Sequence, residues 1–515
     1  MKRIAILGGG ISGLTAAYEL ELARKRGVAI DWHLYEASDR LGGIIETTRI
    51  PSPAGEYILE GGPDGWVSEK PWARELAVEL GLESELIYSE DATRKTYVER
   101  DGQLLPIPDR MRFMVPEDLA VLEGSPLFSD SACAAYALEL ANASQLKASA
   151  LPEGQDESVA SFVRRHFGEE VVHTLAAPLL AGVFGGDVDK LSVRAVMPQM
   201  VALEREHGSL IAGLAAKSKA RAGKPPVAIF TSLRRGMASL VEALVSALPA
   251  HRVHRNHRAS KLAARDGWRI YFEGHRAAPS IPIGTIMPPA TPDNDPSHRC
   301  EHLILATDLG TTRRLGSDLH PAIGSLFPQR ETDVSLLPRY SSSAMLAAFT
   351  WPAELASAFT IPQGFGFVVP PHRQRSEVSA FRSDSQPLSL LAATFVDQKF
   401  PHRTPHGARI IRAFFGGDSA NRLSHATDEQ VATAALTQLQ KLLGPIPPPE
   451  HTVVRRWPHS LPQYEPGHLD RIAALEQLLA EAPGLHLLGN SLHGVGVPDL
   501  IRDARATARR ILAAF

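Results

Sequence analysis

A chain of 515 residues is too long for one compact core, so two or three structural units are expected. Hydrophobic residues at 44% and charged residues at 22% suit an ordinary globular enzyme, and a net charge of -3 argues against a nucleic-acid-binding surface. Cys133 and Cys300 are the only cysteines, which excludes a disulfide framework or a cysteine metal site and points to a reducing compartment.

The chain opens on a short apolar run, Arg3 to Leu7, that suits a buried parallel strand and flows into Gly8, Gly9, Gly10, Ile11, Ser12 and Gly13. An apolar helical face follows through Leu14, Ala16, Ala17, Leu20 and Leu22 to a stop at Gly27. Ala29 to Tyr35 forms a second strand, closed by Glu36 and Ala37. In that frame Gly8 allows the tight turn, Gly10 lets the backbone approach a pyrophosphate and Gly13 lets helix and strand pack closely. The helix N-terminus faces the phosphate charge, and Glu36 accepts the ribose hydroxyls. The pattern predicts a dinucleotide site; the other reading is a plain βαβ turn. Shortly after, Arg40 can fork onto a phosphate while Gly42 and Gly43 let the chain pass close.

Gly8 to Gly13, Glu36 and Asp39-Arg-Leu-Gly-Gly43 together resemble the two-part N-terminal signature of FAD-dependent amine oxidase-like flavoproteins. The segment Glu60-Gly-Gly62-Pro63-Asp64-Gly65 is similar to one in the porphyrinogen oxidases, with Gly61 in place of a basic residue and Gly65 in place of serine. The other reading of this stretch is a simple Gly-Pro turn.

Trp72 to Leu80 reads as an amphipathic helix stopped by Gly81, and Thr96 to Pro106 as a hairpin turning at Asp101-Gly102. From Met111 to Lys224 the pattern becomes helical, with one helix expected from Asp189 through Leu203. Within it Ala177 to Arg194 resembles the porphyrinogen oxidases and not the amine oxidases proper. The run Lys217, Lys219, Arg221 and Lys224 is either a solvated helix face or an attachment to an anionic membrane leaflet. No stretch reaches 18 consecutive apolar residues, so no spanning helix is expected.

His251 to Val253, Trp268 to Phe272 and His302 to Thr307 read as strands returning to the nucleotide unit, and Pro279 to Arg299 as an exposed loop. Met345 to Thr350, Gly366 to Val369, Ser389 to Val396 and Arg409 to Phe415 are strand-length runs of a sheet. Thr427-Asp-Glu-Gln430 is a capping box for a helix ending at Gly444. The tail, Leu485 to Gly489 and Asn490, then Gly494 to Asp499 and a last helix, resembles the family's C-terminal flavin-contacting segment.

The resemblance implies an α/β protein with a discontinuous Rossmann-type FAD-binding domain (1–90, 225–307 and 450–515). It adds a mixed-sheet substrate domain (hairpin 91–110 and sheet 308–449) and an inserted helical domain (111–224) that in the family contacts membranes. It implies FAD as cofactor and a porphyrinogen, protoporphyrinogen IX or coproporphyrinogen III, as substrate, oxidised by six electrons with O2 or another acceptor in heme biosynthesis. Gly62, Pro63, Asp64 and Gly65 are expected near the ribityl chain and ring, and Val253 near the adenine. Trp457, Gly489, Asn490, Val495, Gly496 and Val497 are expected at the flavin side of the tail. The helix opening at Val497-Pro498 would set its partial positive charge beside the ring. Arg94 or Lys95 is the candidate for a substrate carboxylate; no catalytic base and no metal ligand is assigned, and the scattered histidines read as structural, His493 in the tail being the one to test. The expected location is cytoplasmic, peripheral on the inner face of a membrane, with no nucleic-acid partner. The alternatives are a flavin amine oxidase and a non-catalytic FAD-binding protein.

Overall fold

The computed structural model describes residues 1–221, 223, 227–264, 267–273, 298–316, 335–371 and 388–515. Of the expected loop from Pro279 to Arg299, residues 279–297 lie outside the described residues; His298 and Arg299 instead open a strand, His298–Cys300.

Short runs dominated by Ile, Leu and aromatic residues, buried on both faces, suit a parallel sheet covered by helices. Its five strands run in the order Val253–His254, Ile30–Tyr35, Lys2–Leu7, His302–Leu305 and Leu485–Leu487, all parallel. Pieces from the head, middle and tail of the chain therefore meet in one layer. The helix Ile11–Lys25 covers it, and the last helix, Val497–Leu512, packs on that helix through Ala16, Ala17 and Ala504, whose small side chains permit the approach.

A seven-stranded sheet faces this unit, in the order His451–Pro462, Ser341–Trp351, Arg409–Gly416, Ala392–Phe395, Gly366–Val368, Thr96–Arg100 and Gln103–Pro106. Its pairs are antiparallel except the parallel join of Gly366–Val368 to Thr96–Arg100. Phe349, Trp351, Phe367, Phe395 and Phe415 fill its core against the helix Asp428–Leu443. That helix begins with the reciprocal Thr427–Gln430 capping box, and the Asp101-Gly102 turn has positive φ at both residues, 51° and 79°, as a tight hairpin requires.

Several expectations are corrected. His451–Pro462, allotted to the third nucleotide segment, is the edge strand of the seven-stranded sheet, zipped along Ser341–Thr350. The helix Leu309–Gly316, allotted to the substrate sheet, sits on the nucleotide side, where Leu309 and Leu315 join the core with Leu303 and Leu305 of the parallel sheet. The strand expected over Ser389 to Val396 is confined to Ala392–Phe395, because the backbone turns helical at Val396. Asp189 to Leu203 is not one helix: Val193–Val196 ends at Met197, and Pro198 starts a new helix, Pro198–His207, in the first-turn position where its missing N–H matters least.

The helical region packs around Tyr136, Phe162, Phe167, Leu175 and Leu203. The helical run Val159–Phe184 is the exception to the expectation of no spanning helix: its 26 residues are long and apolar enough to cross a membrane. In this fold 56% of its apolar window is buried, and Gly168 breaks its backbone with φ 81°. It is a core helix by packing.

Candidate functional site

A cavity of about 460 Å³ opens at the C-terminal ends of the parallel strands, the position where doubly wound sheets bind ligands. Gly8, Gly10, Ile11, Ser12, Glu36, Ala37, Gly42, Gly43, Trp457, Gly489 and Asn490 all line it. The sequence separates these residues by nearly the length of the chain; the sheet brings them together.

The glycines are required by space. A Cβ on Gly8 would lie 2.3 Å from the Ala306 carbonyl, and one on Gly13 would lie 2.0 Å from the Gly8 carbonyl. On Gly10 the nearest atom would be 4.0 Å away, the Cα of Gly43, so that side is left open for a ligand. Gly10 is also the N-cap of the first helix; no side chain caps it and its first turn carries no acid. Uncapped first-turn N–H groups at a cavity wall make a site for a pyrophosphate. Glu36 is held by its own neighbours: Oε2 accepts the Gly9 N–H at 2.7 Å, and Oε1 accepts the Ser38 N–H and hydroxyl, each at 2.8 Å. Oε2, with one bond accepted, keeps a lone pair for a ribose hydroxyl, whereas both lone pairs of Oε1 are taken. The residues present fit a dinucleotide.

Other expected residues lie around this cavity rather than in its wall. Gly9 packs against Leu41 and Glu36. Arg40 turns its guanidinium onto the carbonyls of Leu41, Gly43 and Ile45, bracing the second glycine turn. Val253 pairs with Leu34 and packs in the core beneath, while His257, Arg258 and Ala259 just beyond it reach the cavity. Val495 packs on the helical region, Gly496 caps the last helix and Val497 is buried under it. Asp499 of that helix fills the space over Gly494 and Gly496 and bonds Lys70 at 2.6 Å.

The Gly62 to Gly65 turn sits one layer behind. Trp457 Nε1, from the cavity wall, donates to the Gly61 carbonyl at 2.7 Å, and a Cβ on Gly62 would lie 1.9 Å from the carbonyl of Ile44, another wall residue. Gly65 has no room for the serine usual in the family segment, since its Cβ would lie 2.6 Å from the Thr231 carbonyl. Pro63 precedes Asp64, whose carboxylate is 3.0 Å from Lys399 and 3.3 Å from Arg412. Burial alone would raise that carboxyl; the two cations outweigh it and push it down to about 2.

Arg94 and Lys95 do not line the glycine-turn cavity. They line a smaller one of about 160 Å³ with Thr96, Asp109, Phe113 and Leu179, between the hairpin and the helical region. His493 also points elsewhere, between Glu476 at 3.4 Å and Asp503 at 3.6 Å on the outer side of the last helix. His173 pairs with Glu169, His207 lies 3.5 Å from Glu206, and His166 is buried between two acids.

Sequence reasoning missed Thr307, Asp308, Thr311 and Arg314, which line the cavity after the strand His302–Leu305. The small residues ending that strand were the available signal. It also missed the roles of Lys399, Arg403 and Arg412, for which no local pattern exists, because their partners lie at residues 60–64.

Comparison with known proteins gives the family. The model of the family described as flavin containing amine oxidoreductase matches residues 11–512. The coproporphyrinogen III oxidase of Bacillus subtilis is 30% identical, over 98% of this chain and 97% of the relative. The chloroplastic protoporphyrinogen oxidase of Oryza sativa is 29% identical, over 98% of this chain and 87% of the relative. A crystal structure from Exiguobacterium sp. 255-15, provisionally named a protoporphyrinogen oxidase, superimposes with a TM-score of 0.77 at 27% identity, covering 100% of this chain and 99% of that one. A parallel sheet with an uncapped glycine-turn helix, an acid just after the second strand and an end-to-end family match converge: the chain belongs to the flavin containing amine oxidoreductase family, whose cofactor is FAD.

Proposed function

We propose that this protein is an FAD-dependent porphyrinogen oxidase, converting coproporphyrinogen III or protoporphyrinogen IX to the porphyrin in heme biosynthesis. The observation that carries this reading is similarity along nearly the whole chain to relatives named for those two substrates. When bound, FAD supplies two-electron acceptance, so a six-electron oxidation takes three rounds, with O2 as the final acceptor.

The chain's own residues then divide the work. The N–H groups opening the helix Ile11–Lys25 hold the pyrophosphate between Gly8–Gly13 and Gly42–Gly43, and Glu36 orients the adenosine ribose. Asn490, whose side chain donates to the Ser460 carbonyl at 2.8 Å, and Trp457 fix the wall toward the ring end. The N-terminus of Val497–Leu512 has no side-chain cap, but Asp499 in its first turn, bonded to Lys70, already meets its partial positive charge. Arg94 and Lys95, beside Phe113 and Leu179, take a substrate carboxylate at the mouth of the smaller cavity. No group is assigned as a base.

In this reading the protein is cytoplasmic and rests on the inner face of a membrane through the helical region. Lys217 and Lys219 stand exposed on Leu210–Arg221, and Lys224 lies outside the described residues. Purified FAD-loaded protein should generate porphyrin fluorescence from one or both porphyrinogens. No turnover of either would overturn the reading, and flavin bleaching by primary amines without O2 would replace it with an amine oxidase.

A further inference from the structure

Behind the cavity wall the chain buries an ionic cluster that the family signature does not account for. Glu60 ends the strand Gly55–Glu60; its Oε2 accepts the Thr47 hydroxyl at 2.7 Å, and its Oε1 accepts the Met237 N–H at 2.8 Å and the guanidinium of Arg403. Arg403 also donates to Ser232 Oγ at 2.5 Å and, at 3.5 Å, to the carbonyl of Asp64. Arg412 donates to the Gly62 carbonyl and lies 3.3 Å from the Asp64 carboxylate, which Lys399 meets from its other side. Relative exposures are 0% for Arg403, 1% for Glu60, 2% for Arg412 and 8% for Lys399, so solvent does not screen these pairs. Three cations face two carboxylates.

The two halves of the cluster come from different units. Thr47, Glu60, Asp64, Ser232 and Met237 stand on the nucleotide side, whereas Lys399, Arg403 and Arg412 come from the seven-stranded sheet and the turn beside it. Both halves hold the turn Gly61 to Asp64. Its carbonyls are taken by Trp457, Arg412 and Arg403, and Ser232 donates to the Asp64 carbonyl at 2.6 Å. Trp457 and Ile44, against which the turn rests, are cavity wall.

We propose that Arg403 is a positioning residue for the cofactor: clamped on Glu60, Ser232 and the Asp64 carbonyl, it sets the Gly61–Asp64 turn against Trp457 and Ile44 and thereby fixes how FAD seats. The planar fork is what the position needs. A guanidinium spans Glu60 and Ser232 at once, whereas an ammonium is a point charge on a flexible stem and satisfies one of them. This inference rests on the family's flavin and not on the porphyrinogen reading.

The test uses the full chain and reads FAD dissociation constants and visible flavin spectra with no porphyrinogen present, so its failure is distinct from failure of the proposed activity. Arg403→Lys and Ser232→Ala should fold, weaken FAD binding about tenfold and shift the flavin absorption bands. The paired change Arg403→Met with Glu60→Gln, which removes both charges together, should show the same loss. Thr427→Ala, at a distant helix cap, should leave affinity and spectrum untouched. Wild-type affinity and spectrum in folded Arg403→Lys and Ser232→Ala proteins would overturn the proposal, and those two variants decide it if the paired change does not fold.

Discussion

Two buried ionic clusters, one inside the helical region and one at the junction of the two sheets, use opposite chemistry. In the helical region His166 lies 3.1 Å from both Glu139 and Glu204, Arg165 pairs with Glu204 and Glu157, and Glu139 also accepts the Ser209 hydroxyl at 2.6 Å. Every partner there belongs to the same helical layer, so the cluster locks one unit internally. At the junction the cations are Lys399, Arg403 and Arg412, and their acids come from the other unit. The first cluster is built around a histidine; the second has none. A lock within a unit can be pH-sensitive without disturbing the cofactor wall, whereas the tie behind that wall is made by two arginines and a lysine.

The sharpest way to break the comparison is Arg403→Met alone. It leaves Glu60 buried with only the Thr47 and Met237 donors, and should cost about 3–5 kcal/mol in chemical unfolding while also releasing FAD. His166→Leu should cost less, about 2–3 kcal/mol, because Arg165 still faces Glu204 and Ser209 still faces Glu139. Its loss should leave FAD affinity intact; a parallel loss of FAD would erase the distinction between the clusters.

Titration sharpens the contrast from both ends. Burial alone would lower His166, but its hydrogen bonds to Glu139 and Glu204 raise it above the ordinary value. A raised histidine contributes stability below about pH 6.5 and loses it as pH climbs through the folded value. The stability gap between wild type and His166→Leu should therefore shrink on the alkaline side. Asp64, held down to about 2, contributes above about pH 4 and loses that contribution as pH falls toward 2. Unfolding curves across pH, with flavin release followed in the same samples, would separate the two: acid should loosen the junction and alkali the helical layer.

The smallest expected effect is the control. Thr427→Ala removes a hydroxyl that accepts the Gln430 N–H at 3.2 Å at an exposed helix start. It should cost about 1 kcal/mol by thermal unfolding, with neither cluster's pH signature changed.

Elements whose causes are local could be read from the chain. Gly8 to Gly13 is legible because the close approaches at Gly8 and Gly13 exclude any other residue, and the Asp101-Gly102 turn because its two positive φ angles demand such residues. The Thr427–Gln430 capping box needs only three residues of spacing. The sequence by itself thus determined a dinucleotide turn, its acid and the flavoprotein resemblance, all set within a few turns of backbone. Tertiary structure alone decided that His451–Pro462 leaves the nucleotide unit for the sheet, since strand pairing depends on a partner a hundred residues away in Ser341–Trp351. It alone brought Arg403 and Arg412 onto Glu60, Asp64 and Gly62, more than 300 residues earlier. An isolated arginine in a strand or turn carries no periodicity and no spacing rule; what it does is set by the acid that folding buries beside it.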